Sequence, residues 1–155
     1  MIGALRGARL VGVTGAALPR LAAGRSADRT LHHFSRRALR ALPLRIEWLG
    51  EPDLGAPLWI ANHLSWIDPI VLFSLRPMGI LAKAEAASYP VIGSWMRRAG
   101  LRFVDRDDPT SRGAALAALT RDLQAERPML LFPEGTTTTG ALTDLRPGGL
   151  LAAHR

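Results

Sequence analysis

From Leu58 onward, short apolar runs alternate with segments of helical period, and this alternation restricts the fold more than any other property of the chain. Leu58-Trp59-Ile60-Ala61, Gly79 to Ala82, Leu101 to Val104 and Met129 to Phe132 each suit one short strand and are too short for a helix. Helix signals lie between them. Asp68-Pro69 predicts a helix start with proline at the first helical position, and Ser65 is an alternative cap. That helix continues through Ile70, Val71, Phe73 and Leu75 to Arg76-Pro77. Glu85 to Arg98 reads as another, disturbed near Tyr89-Pro90. Thr110 to Ala125 is the clearest, with Leu116, Leu119 and Leu123 on its buried face. Upstream, Leu44, Ile46 and Trp48 alternate with Arg45 and Glu47, which predicts a further strand before the turn Glu51-Pro52-Asp53-Leu54-Gly55. Strand and helix in alternation imply an α/β domain, with a mostly parallel or mixed central sheet flanked by helices. No internal repeat or long linker interrupts it.

A chain of 155 residues suits one domain with a sizeable core, and a hydrophobic content of 48% excludes a disordered chain. The absence of cysteine excludes disulfides and thiolate metal sites. Charge is unevenly placed. Residues 1–50 carry nine arginines against Asp28 and Glu47, whereas in residues 51–155 ten arginines and Lys83 balance eleven acids. The whole formal excess of +7 therefore lies in the first third. Such a basic, apolar stretch suits an anionic partner, and a membrane lipid surface is the expected one. Nucleic-acid binding would rest on arginine content alone and is not expected.

No segment is long enough to span a bilayer. Leu10 to Leu18 is interrupted by Pro19-Arg20, well short of the roughly 20 apolar residues a spanning helix needs. The same interruption argues against a signal peptide. A helix follows. Ser26 suits its N-cap, Asp28 its first turn, and Leu31, Phe34, Ala38 and Leu42 form one stripe flanked by Arg29, Arg36, Arg37 and Arg40. Pro43 ends it. This basic amphipathic helix can lie on a bilayer or cap a core. The expected division is a basic membrane-associating helical segment over 1–43 and a domain carrying the chemistry over 44–155.

Three motifs stand at the C-terminal ends of predicted strands, where open α/β sheets commonly place their ligands. The first is Asn62-His63-Leu64-Ser65-Trp66-Ile67-Asp68. Histidine takes and returns a proton near neutral pH, and a nearby carboxylate can hold its tautomer and stabilise the imidazolium. In the second, Gly100 to Arg106, a strand ends in Asp105-Arg106. The planar fork of Arg106 suits bidentate contact with phosphate, against an alternative of a surface ion pair with Asp105, Asp107 or Asp108. In the third, Leu131 to Thr136, a strand ends in Glu134-Gly135-Thr136. Gly135 can let backbone N–H groups approach an anion, or the segment is a plain polar turn. Lys83 follows another strand and adds a second positive charge. Ser65 lacks the G-x-S-x-G flanks of a nucleophilic serine, which leaves a cap or supporting role. No metal is expected: no second histidine stands at helical spacing from His63, and His32-His33 belong to the basic helix.

Taken together, these residues resemble the glycerolipid acyltransferase family, in particular bacterial 1-acylglycerol-3-phosphate acyltransferases. The family motif N-H-x-S-x-x-D is matched by Asn62, His63, Ser65 and Asp68. G-x-x-F-[IV]-D-R is matched by Gly100, Phe103, Val104, Asp105 and Arg106, and F-P-E-G-T by Phe132 to Thr136. The resemblance covers roughly Arg45 to Gly149. It implies transfer of a fatty acyl group from acyl-CoA or acyl carrier protein to a lysophospholipid hydroxyl, with 1-acylglycerol-3-phosphate as acceptor. On that reading His63 is the base, Asp68 orients it, and Arg106, Lys83, Glu134, Gly135 and Thr136 bind substrate. No cofactor is implied beyond the acyl donor, and the expected location is the cytoplasmic face of the cell membrane, peripheral or monotopic. The chemistry agrees, because a thiol of pKa about 8.5 leaves readily as thiolate and needs no strong acid.

Two departures qualify the resemblance. The family often places arginine after Glu-Gly-Thr, where this chain has Thr137, so another lysolipid acceptor, uncharged or amino-acid-linked, is an alternative. The family usually continues with a further strand carrying a proline-containing motif, whereas Leu150 to Arg155 reads like the middle of a helix. A domain incomplete at its C-terminus is therefore expected, and a non-catalytic membrane-associated remnant is the rival class.

Overall fold

The structure is a computed structural model and describes residues 27–88, 93, 96, 101–140 and 145–152. The expected cap Ser26, the segment Leu10 to Leu18 and most of the helix expected over Glu85 to Arg98 lie outside the described residues.

Helix α1 spans Ala27–Ala41, with Asp28 in its first turn and Arg40 in its last, both favourable to the helix dipole. Strand β1 (Leu58–Ile60) leads to helix α2 (Asp68–Phe73), and β2 (Gly79–Lys83) runs into a 3-10 segment, Ala84–Ser88. Strand β3 (Arg102–Val104), helix α3 (Pro109–Gln124), strand β4 (Met129–Leu131) and helix α4 (Gly148–Ala152) follow. The four strands form one sheet in the order β1-β4-β2-β3. Every pairing is parallel, with Ile60 opposite Leu131, Ile80 opposite Leu130 and Ala82 opposite Phe103. The α/β expectation holds, and among the described residues its parallel form is the one realised.

Pleating of the buried central strand β4 sorts the core into two layers. Leu130 and Phe132 face one way and pack with Leu31 of α1, Phe73 of α2, Met78 and Ile80. Met129 faces the other way and packs with Leu119 of α3 and Ala152 of α4. The stripe on α1 therefore caps a core: Leu31 and Ala38 are buried, while Arg29, Arg36, Arg37 and Arg40 are exposed. His32 Nδ1 lies 2.8 Å from the Phe73 carbonyl oxygen, which accepts its proton at the end of α2.

Helix α3 has defined ends. The Asp108 carboxylate accepts the N–H groups of Thr110 and Ser111 at 2.9 and 3.1 Å, and Pro109 follows it. At the other end Arg127 N–H reaches the Asp122 carbonyl and Glu126 N–H the Leu123 carbonyl, with Glu126 at φ 56°. That is a Schellman arrangement with a glutamate where glycine is usual.

The strand expected over Leu44 to Trp48 does not form. Leu44, Ile46 and Trp48 are 42%, 37% and 50% exposed. Period-two alternation specifies a strand only where one face is covered and a neighbour completes the ladder. This segment has neither among the described residues.

Charge ties the layers together. Arg102 of β3 donates to both Asp122 oxygens at 2.5 and 2.7 Å, and Arg127 reaches Asp122 at 3.2 Å. Arg127 also grips both Asp28 oxygens at 2.7 and 2.6 Å, joining α1 to α3. The Arg102 hydrogen bond holds the nearly buried Asp122 carboxyl below its ordinary range, with Arg127 adding to the effect. A folded pKa lowered in this way contributes stability that is complete above the unfolded value, roughly pH 4, and is lost as pH falls through the folded value. Asp122→Asn should therefore destabilise the fold by about 2 kcal/mol at pH 7 and by less at pH 3. Urea melts at the two pH values measure this, and an equal loss at both would contradict it.

Candidate active site

Parallel pairing decides where the three motifs meet. β1 and β4 run side by side in register, and Ala61 N–H extends the ladder to the Leu131 carbonyl at 3.2 Å. The two chains therefore leave the sheet together, one into Asn62-His63 and the other into Phe132-Pro133-Glu134. His63 N–H donates to Glu134 Oε2 at 2.6 Å, and the His63 carbonyl accepts Thr138 N–H at 2.7 Å. The backbone of His63 is thus held from both sides by the loop after β4.

The side chain is held as well. His63 Nδ1 lies 3.1 Å from Asp68 Oδ2, and the imidazole stacks on the Phe132 ring with centroids 4.2 Å apart. The same Asp68 oxygen accepts the N–H groups of Leu64 and Ser65, both at 2.7 Å. A carboxylate only accepts, so the proton sits on Nδ1 and the lone pair on Nε2. The His63 side chain is 20% exposed, enough for a ligand to reach it.

Asp68 is therefore not the cap of α2. It is the first helical residue, and its side chain turns back into the loop; the N-cap, Ile67, makes no side-chain cap bond. Ser65 is closer to the cap role, since its Oγ accepts Ile67 N–H at 3.2 Å and its carbonyl accepts Asp68 N–H at 3.1 Å.

Arg106 follows β3 and lies against the loop after β4. Gly135 has φ +76°, and a Cβ built on it would stand 2.5 Å from Arg106 Nη1, so only glycine admits this contact. Burial, then the nearby Arg146, push the Arg106 guanidinium below its ordinary pKa, with Glu85 partly offsetting them. Arg106 makes no ion pair among the described residues. The acids beside it face elsewhere: Asp105 accepts Asp107 N–H and Asp108 caps α3. Lys83 stands at the end of β2 and pairs with Glu85 at 2.6 Å. Glu134, expected to bind substrate, is 5% exposed, with one oxygen on the His63 amide. Thr136 is exposed beyond Gly135.

A cavity of about 290 Å³ opens beside this constellation. Arg106, Arg112 and Arg146 line it, and Val104, Leu116 and Phe132 are among its apolar walls. Phe132 belongs to both features, stacking with His63 and lining the cavity. No group of three or more His, Cys, Asp or Glu able to hold a metal occurs among the described residues.

The geometry can be set beside known proteins. The acyltransferase family model matches residues 52–154. A lyso-ornithine lipid O-acyltransferase from Pseudomonas aeruginosa is 38% identical over 117 residues, covering 76% of this chain and 45% of that protein. A 1-acyl-sn-glycerol-3-phosphate acyltransferase from Helicobacter pylori is 34% identical over 99 residues, 63% of this chain and 42% of that protein. Another of that name from Neisseria gonorrhoeae is 31% identical over 119 residues, 75% and 46% of the two chains. The chain belongs to the acyltransferase family. It spans less than half the length of these relatives, and no solved structure matches it.

The contact between His63 and Asp68 was legible from local spacing, but the meeting of Arg112 and Arg146 at one cavity was not. Arg112 looks like a solvated residue on a helix, and Arg146 lies 40 positions from Arg106 with no motif around it. Nor did sequence reveal that Glu134 serves the His63 backbone. Replacing Glu134 by Ala leaves the part-buried His63 N–H without its acceptor, which should cost about 1 kcal/mol and alter the His63 ring environment. A chemical melt together with the His63 imidazole NMR signals tests this. Unchanged stability and unchanged signals would rule out the clamp.

Proposed function

We propose that this chain carries the acyl-transfer centre of a lysolipid O-acyltransferase, moving a fatty acyl group from acyl-CoA or acyl carrier protein to a lysolipid hydroxyl in phospholipid biosynthesis. The observation that carries the reading is the His63 imidazole, with Nδ1 turned to Asp68 and the lone pair of Nε2 left for an incoming proton. Nε2 takes the proton of the acceptor hydroxyl as its oxygen bonds to the thioester carbonyl carbon. The tetrahedral intermediate collapses, the C–S bond breaks, and the thiolate recovers the proton from His63. Asp68 stabilises the imidazolium between the two transfers. Glu134 and Thr138 act as positioning residues through the backbone of His63.

The acceptor in this reading is 1-acylglycerol-3-phosphate, because Arg106 faces the cavity without a carboxylate partner among the described residues and suits a phosphate. Gly135 admits the guanidinium, Thr136 lies at the loop surface, and Lys83 must exchange Glu85 for the ligand if it takes part. One observation favours a second acceptor. Thr137 replaces the arginine often found after Glu-Gly-Thr, and relatives from Pseudomonas aeruginosa and Rhizobium meliloti, 38% and 37% identical, are named for lyso-ornithine lipid.

Because the acceptor is a lipid, the enzyme would work at a lipid surface, on the cytoplasmic face of the cell membrane as a peripheral or monotopic protein. The exposed arginines of α1 suit anionic head groups. No helix among the described residues is long and apolar enough to cross a membrane.

Thiol release from acyl-CoA, with 1-acylglycerol-3-phosphate, lyso-ornithine lipid and a neutral monoacylglycerol as acceptors, is the direct test. Transfer should be fastest to the phosphate-bearing acceptor, and His63→Ala should lower the rate by about 10³-fold with the fold intact. Transfer unaffected by His63→Ala would defeat the assignment of the base. Preference for lyso-ornithine lipid would replace the first acceptor by the second.

A further inference from the structure

We infer that His32 of α1 is a positioning residue for the His63–Asp68 pair, acting through helix α2. Its role in turnover rests on the acyl-transfer reading; the placement of Asp68 rests on the geometry alone.

Asp68 is the first residue of α2 and Phe73 the last, so the carboxylate that holds His63 stands on a helix of six residues. A helix of under two turns does not persist without tertiary contacts. At its start the N-cap Ile67 makes no side-chain cap bond, and the Asp68 side chain is committed to His63, Leu64 and Ser65. At its end Ser74 and Leu75 donate to the carbonyls of Ile70, Val71 and Leu72. The Phe73 carbonyl is met from another helix: a carbonyl only accepts, so His32 Nδ1–H donates to it, at 2.8 Å.

His32 stands one turn after Asp28, on the same face of α1. Asp28 pairs with Arg127, two residues before β4 begins. One face of α1 therefore docks on two places that matter to the site. The first is the entry to the strand that delivers Glu134, and the second is the exit of the helix that begins with Asp68. Leu31 joins Phe73 in the apolar core, and Phe34 and Leu72 pack against the same cluster. Apolar packing is non-directional, whereas a hydrogen bond to one carbonyl constrains both the rotation and the axial position of a short helix. Asp68 responds to either movement. Its Oδ2 meets the Leu64 and Ser65 amides at 2.7 Å and His63 Nδ1 at 3.1 Å. The contact with His63 is the longest of the three, so it is the first to be lost when α2 shifts.

Imidazole NMR of His63 in the whole chain, together with thiol release from acyl-CoA, tests the inference. The amide nitrogen of asparagine stands where Nδ1 stands in histidine, and that of glutamine where Nε2 stands. His32→Asn should therefore keep the bond to Phe73, and His32→Gln and His32→Leu should lose it. In the two losing variants the His63 Nδ1 proton signal should move upfield as its bond to Asp68 lengthens. Their kcat should fall about tenfold, with KM for acyl-CoA changed by less than about twofold. His32→Asn should restore both. Asp108→Ala removes the cap of α3 and destabilises the fold away from α1 and α2, and it should leave the His63 signal in place. A wild-type His63 signal in His32→Gln and His32→Leu overturns the inference, and wild-type kcat in both removes its role in turnover. A loss that His32→Asn fails to restore, or an equal shift in Asp108→Ala, also overturns it, because either assigns the effect to packing or stability alone. If His32→Leu does not fold, the contrast between the Gln and Asn variants decides. The signal is read without substrate, so an inactive wild type strikes the acyl-transfer reading while the signal still decides how Asp68 is placed.

Discussion

The hydrogen bond from the His63 amide to the buried Glu134 carboxylate is the contact on which the site depends. It closes the space between two parallel strands just where their ladder ends. β1 and β4 are neighbours because β4 is the most buried strand of the sheet, with Met129 and Leu130 wholly covered. Their register then fixes which residues emerge together. A slip by one residue would turn His63 toward the opposite layer and separate it from Phe132. Core packing and the geometry around His63 are thus one constraint, expressed first in apolar burial and then in a single charge-assisted hydrogen bond.

Charge is used in two ways in this fold. Asp28, Asp122, Arg102 and Arg127 form a closed network that joins α1, β3 and α3, each guanidinium facing carboxylate oxygens. It fixes layers and has nothing left for a ligand. Arg106, Arg112 and Arg146 are held by contacts other than carboxylates and turn toward a cavity. Both groups contain arginine and both look alike in composition. What separates them is the partner, and partners are set by tertiary structure.

That distinction explains what was legible in the sequence. The His63–Asp68 pair lies within one turn, so its spacing alone placed both groups. The helix α1 stripe and the long α3 were likewise local patterns, and both formed. Glu134 was expected to bind substrate; its bond runs instead to a backbone amide 71 residues away, which leaves no mark in side-chain pattern. Arg146 was silent for the same reason. Leu44 to Trp48 erred in the opposite direction: the alternation was real, but without a covered face or a paired edge it did not produce a strand. Local signals succeed where neighbours along the chain are also the physical partners.

On the proposed acyl-transfer reading, the surroundings of His63 offer a lipid an apolar approach. Leu64 and Trp66, in the turn between His63 and Asp68, are 47% and 59% exposed. Their backbone is not loose, because Asp68 takes the Leu64 amide and the turn closes through Ser65. The turn therefore presents apolar side chains outward while holding the proton-bearing nitrogen inward. Phe132 provides the other half of the arrangement, with His63 stacked on its ring and the arginine-lined cavity beside it. On this view the buried Glu134 and the exposed Trp66 serve one purpose. The first fixes His63, and the second would offer the proposed lipid acceptor an apolar approach to it.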